Sequence, residues 1–134
     1  MKTVVPMLTL LLSLVSGTAV AAGTFYLQCW ITQAEWDGLV EPAHEVLNLE
    51  VSISKNNRVV INHPQSIACD RFVGTADTTT INATCATRFY RSVDVSTIYL
   101  NRLDGAFSLS SEYAGEQAPY AVRAGYCRRI ERLF

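Results

Sequence analysis

Apolar residues recur at every second position through much of this chain, and that period of two limits what it can fold into. The clearest case spans residues 46–54. Leu47, Leu49, Val51 and Ile53 share one face; Asn48, Glu50, Ser52 and Ser54 share the other. Strict alternation describes a strand with one buried and one wet face. Residues 24–32 (TFYLQCWIT) read as an earlier strand, rich in aromatic and branched side chains. Lys55-Asn56-Asn57-Arg58 supplies a turn, because Asn tolerates left-handed backbone; residues 59–62 return as the partner strand, which His63-Pro64 stops. Residues 66–73 read as a strand ended by Gly74. In residues 79–90, Ile81, Ala83, Cys85, Thr87 and Phe89 share the inward face. Residues 97–103 and 106–111 flank Asp104-Gly105, a hairpin signal that predicts a type I′ turn. Residues 120–130 form the last strand, with Gly125 marking a bulge or a close backbone approach.

One stretch breaks the pattern. Over residues 33–44, Asp37-Gly38 signals a turn and Pro42 prevents a long helix, so a loop is expected. No segment carries a helical period of useful length. The expected fold is all-β: an antiparallel meander of seven or eight short strands, closing as a small sandwich or barrel.

The 134 residues suffice for one domain. Lys2, an apolar run over residues 4–15 and small residues at 16–22 have the layout of a secretory signal peptide. The run is shorter than the ~20 apolar residues that cross a bilayer. Residues 1–22 are therefore expected to be a leader and residues 23–134 a single β domain, in the periplasm or secreted. Four cysteines, Cys29, Cys69, Cys85 and Cys127, lie in that domain. An even count in a small exported chain reads as a disulfide framework. None is close enough to another for a zinc site of the C-x-x-C kind. Three pairings are open; the favoured one joins Cys69 to Cys85 across a short loop and Cys29 to Cys127, first strand to last.

Without Lys2, ten Lys and Arg face twelve Asp and Glu, which argues against a polyanion binder. The charge is uneven. Glu35, Asp37, Glu41, Glu45 and Glu50 form an acidic stretch, and Arg123, Arg128, Arg129 and Arg132 crowd the C-terminal end. Chemistry-bearing motifs are sparse. Glu41, His44 and Glu45 lack a third strong ligand in a fixed geometry, so no metal site is expected. His63 has no nucleophile setting beside it. Asp70-Arg71 and Asp104 suit surface and turn roles. No catalytic residue and no cofactor is expected. The candidate binding residues are aromatic and acidic: Tyr26 and Trp30 on the outward face of the first strand, opposite Phe25, Leu27, Cys29 and Ile31, together with Trp36, Glu35 and Asp37 in the following stretch.

Ile98-Tyr99-Leu100-Asn101-Arg102-Leu103-Asp104-Gly105-Ala106-Phe107, followed by Gly125-Tyr126-Cys127 and a closing Phe134, resembles the tail of small periplasmic β proteins of proteobacteria. There an Asn-Arg-x-x-Gly hairpin precedes a Gly-x-Cys strand. The resemblance covers about the last 40 residues and implies an envelope location and a β fold, without an activity or a site. The chain is also similar to periplasmic lysozyme inhibitors in size, export and architecture. It departs from their Ser-Gly-x-x-Tyr loop, which Ser110-Ser111-Glu112-Tyr113 only echoes. The expected function is a non-catalytic protein-binding role toward another envelope or secreted protein. The alternatives are an inhibitor or immunity protein against a cell-wall hydrolase or toxin, and a small-ligand-binding barrel. No nucleic-acid partner and no membrane span after leader removal are expected.

Overall fold

The computed structural model describes residues 22–63, 69–89, 91–116 and 118–131. The expected leader, apart from Ala22, lies outside them, as do residues 66–68 of the expected fourth strand. Eight strands follow in order: β1 (Gly23–Trp36), β2 (Leu39–Ile53), β3 (Arg58–Asn62), β4 (Arg71–Ala76), β5 (Thr80–Phe89), β6 (Ser92–Asn101), β7 (Ala106–Tyr113) and β8 (Ala121–Ile130). Each pairs antiparallel with the next, and β8 pairs with β1, so the meander closes as a barrel.

Alternation determines the inside. Leu47, Leu49, Val51 and Ile53 are all buried, as are Leu27, Cys29 and Ile31 of β1 and Ile81 and Ala83 of β5. Phe72, Ile61, Ile98 and Phe107 fill the lumen with them, as befits eight strands, whose bore is just wide enough for side chains. The outward positions carry Gln28, Asn48, Glu50, Ser52, Asn82 and Arg128. The same outer wall also exposes Val46, Tyr99 and Tyr126. No helix among the described residues is long and apolar enough to cross a membrane.

Both favoured disulfides are present. Cys29 and Cys127 are register partners across the closing β1–β8 seam, with Cα atoms 3.9 Å apart. Cys69 and Cys85 tie the approach to β4 onto β5, with Cα atoms 6.0 Å apart.

Three local readings are corrected. Residues 33–44 are not a loop: β1 and β2 run on to a tight hairpin at Asp37-Gly38, where Trp36 pairs with Leu39. Both central residues have positive φ, 48° and 86°, so type I′ chemistry belongs here. At Asp104-Gly105 only Gly105 is positive, at 80°. That connection is wider; the Asn101 Oδ1 accepts the amides of Leu103 and Asp104, and Asp104 Oδ1 accepts that of Ala106. The strand expected to end at Gly74 runs on to Ala76, because Gly74 is paired on both sides, with Val59 and Ala83. β3 ends at Asn62, where His63-Pro64 is expected to stop it, and His63 still points inward. It continues the inward row of Val59 and Ile61 and is buried.

The expected irregularity at Gly125 is a close approach. Opposite Gly125 the register of β1 shifts between Ile31 and Gln33, leaving Thr32 as an extra residue against β8. A Cβ on Gly125 would stand 1.8 Å from the Trp30 carbonyl oxygen. The bulge also reverses the phase of β1. Before it, odd-numbered residues point inward; after it, Ala34 and Trp36 do, opposite the inward Arg123 and Ala121.

Candidate functional site

The inward rows change character along the barrel. On β6 they run from Leu100 and Ile98 to Ser96 and Asp94, on β7 from Phe107 and Leu109 to Ser111, and on β8 from Cys127 to Arg123. The polar ends meet at one mouth, beside the Asp37-Gly38 turn and the segment leading into β8. There a recess of about 210 Å³ is lined by Trp36, Asp94, Ser96, Ser111, Tyr120 and Arg123, against the buried Phe72 and Leu109.

Backbone bonds set Tyr120 at the centre of this mouth. Its amide donates to the Ser111 carbonyl at 2.9 Å, and its carbonyl accepts the Asp37 amide at 3.0 Å. Its ring stacks on Tyr113 at 4.8 Å between centroids and lies 6.4 Å from the tilted Trp36 ring. Its hydroxyl donates to Asp94 Oδ2 at 2.5 Å. Burial first, and then the bond to the Asp94 carboxylate, push the phenol up to about 12, so Tyr120 remains a donor at any physiological pH. The other Asp94 oxygen, Oδ1, is buried without a hydrogen-bond partner.

Across the recess, Arg123 Nη1 donates to Glu45 Oε1 at 2.8 Å. This pair joins the acidic stretch to the basic C-terminal end. Both side chains are about 40% exposed, so the pair contributes at most ~1 kcal/mol. Beneath it lies His63, 6% exposed, with neither ring nitrogen hydrogen-bonded. Burial lowers its pKa below the ordinary 6.5, with the Arg123 guanidinium acting in the same direction.

Outside the recess, Glu35 and Asp37 line a groove of about 320 Å³ with Pro119, Tyr120 and Val122. The hairpin tip beside it exposes Trp36, Leu39 and Val40. Glu35, Trp36 and Asp37 are therefore gathered around Tyr120. Tyr26 and Trp30 are not. They project from the outer wall, where Trp30 stacks on Tyr126 at 5.3 Å under the Arg128 guanidinium, and Tyr26 borders a hollow with Arg129. The bulge at Thr32 is what separates Trp30 from Trp36.

Sequence reading missed Asp94, Tyr113, Tyr120 and Arg123. The signal was present: inward positions at the start of β6, the end of β7 and the start of β8 turn polar together. Placing the sixth strand at residue 97 hid Asp94. The gathered groups are equipped for recognition by charge, hydrogen bonding and aromatic contact. No protein-family model matches this chain, nor does any curated protein or solved structure.

Proposed function

We propose that this is an exported, non-catalytic binding protein that engages another envelope or secreted protein through the mouth of its barrel. The carrying observation is the convergence of Trp36, Tyr113 and Tyr120 with Glu35, Asp37 and Asp94 at one end of a lumen otherwise filled by side chains. Large, stiff aromatic residues set among polar groups are the usual anchors of protein interfaces. The recess lies below the ~300–1,000 Å³ of sites that enclose whole small ligands, which favours an inserted side chain over a carried molecule. The two disulfides suit an oxidising compartment, in keeping with the expected periplasmic or secreted location. The acidic rim suits a partner with a basic surface, of which a cell-wall hydrolase or a toxin is one kind, and an inhibitor or immunity role would follow from that choice.

Trp30 and Trp36 now test different faces. In quantitative capture from envelope extract, Trp36→Ala is expected to lose the partner that wild type retains, while Trp30→Ala retains it. Loss on Trp30→Ala alone would move the interface to the outer wall, and equal recovery by all three forms would remove the proposal.

A further inference from the structure

We infer that the mouth recess is a seat for one organic cation, the ammonium or guanidinium head of a lysine or arginine side chain on the partner. This rests on the binding role proposed above and names the chemistry of its contact.

Charge is the first ground. Two ionised groups line the recess, Asp94 on β6 and Arg123 on β8, and Glu45 on β2 reaches Arg123 from beside it. Arg123 is matched to Glu45. His63 on the same inner wall is held toward its neutral form. One negative charge is therefore left over, on Asp94. Unmet hydrogen bonding is the second ground. Tyr120 serves Asp94 Oδ2, while Oδ1 is covered and lacks any donor. A buried acceptor without a donor is unfavourable. The terminal torsion of an aspartate is broad, so a small turn of the carboxyl presents this oxygen to an entering N–H group. Ring geometry is the third ground. Trp36 and Tyr120 line the recess beside that carboxylate, with Tyr113 stacked on Tyr120, and ring faces attract organic cations. A volume of about 210 Å³ takes a single side chain. The rim repeats the sign: Glu35, Asp37, Glu112 and Glu116 stand near the mouth against Arg71, Arg88 and Arg91.

The test is a ¹H–¹⁵N NMR titration of the oxidised protein, following the Trp36 indole and the amides of Asp94, Tyr113 and Tyr120. The probes are N-acetyl-lysine methylamide, N-acetyl-arginine methylamide, the neutral N-acetyl-norleucine methylamide, and free methylammonium and guanidinium. Saturable shifts are expected with the lysine or arginine derivative and none with norleucine. Asp94→Asn should weaken the binding about tenfold or more. Should that variant fail to fold, Trp36→Leu, at a half-exposed position, should give a comparable loss. No saturable shift, equal shifts from norleucine, or undiminished binding in the variants overturns the inference. Free guanidinium or methylammonium binding as tightly as the derivatives overturns its assignment to a partner's side chain. If Asp94→Asn still captures the partner that Trp36→Ala loses, the binding role stands and only the cation seat fails.

Discussion

His63 concentrates the unfavourable chemistry of this barrel in one side chain. Two ring nitrogens are buried without partners, and charging the ring there is worse still, so its pKa in the fold lies below 6.5. The unfolded chain then takes up the proton first as pH falls. Stability is thus retained above about 6.5 and lost as pH drops from there toward the folded value. His63→Leu removes both nitrogens. It should raise stability by about 1 kcal/mol near neutrality, and by more at pH 5. Urea midpoints for both forms at pH 7.5 and 5 decide this; parallel loss in the two would show that His63 is not the titrating group. Asp77 shows the opposite case. Its carboxylate accepts the amides of Thr79 and Thr80, and these bonds hold it down at about 2. The stability it contributes is present above the ordinary value of 3.8, falls away as pH drops below that, and is gone once pH has passed through about 2. An NMR titration should find its midpoint there, whereas one near 3.8 would mean the turn is open in solution.

At the scale of strands and turns, legibility followed the burial of a single face. β2 was readable from residue 46 onward because every second residue is buried there. Its first half was not. Leu39, Val40, Glu41 and Pro42 are all exposed, so no inward row marks them as a strand. Pro42 is tolerated because, among the described residues, this part of β2 pairs with β1 alone and the ladder to β3 begins at Glu50. The bulge at Thr32 hid the rest by reversing the phase of β1. Trp36, expected in a loop after the first strand, stands instead on the extended end of β1, on the opposite face from Trp30. The two Asp-Gly pairs were alike in sequence, and only strand register told which one takes the tight turn. Gly125 was legible because its need is local: the backbone of β1 lies where a side chain would be. Gly125→Ala should therefore cost about 3 kcal/mol or prevent folding, measured by denaturant unfolding. A cost within about 0.5 kcal/mol would mean that β1 and β8 do not approach this closely.

At the scale of the whole molecule, closure leaves the barrel with two unlike ends. One is packed with apolar side chains; the other presents rings and carboxylates. The disulfides act on different parts of this plan. Cys29–Cys127 spans 98 residues and locks the seam, while Cys69–Cys85 spans 16 and pins the approach to β4 beside the mouth. On chain entropy alone, removal costs at most about 4.7 and about 3 kcal/mol, respectively. Unfolding of Cys29→Ala/Cys127→Ala and Cys69→Ala/Cys85→Ala variants should rank in that order, and the reverse ranking would show that the seam does not depend on its bridge. The central claim is that the protein meets its partner at the mouth. Leu39 at the mouth and Leu103 at the far end are equally exposed, 76% and 77%. They are matched sites for a photo-crosslinking residue, irradiated in cells that express the protein. A discrete, salt-sensitive adduct from position 39 and none from position 103 is the expected result. Adducts of equal yield from both, or from position 103 alone, would contradict it.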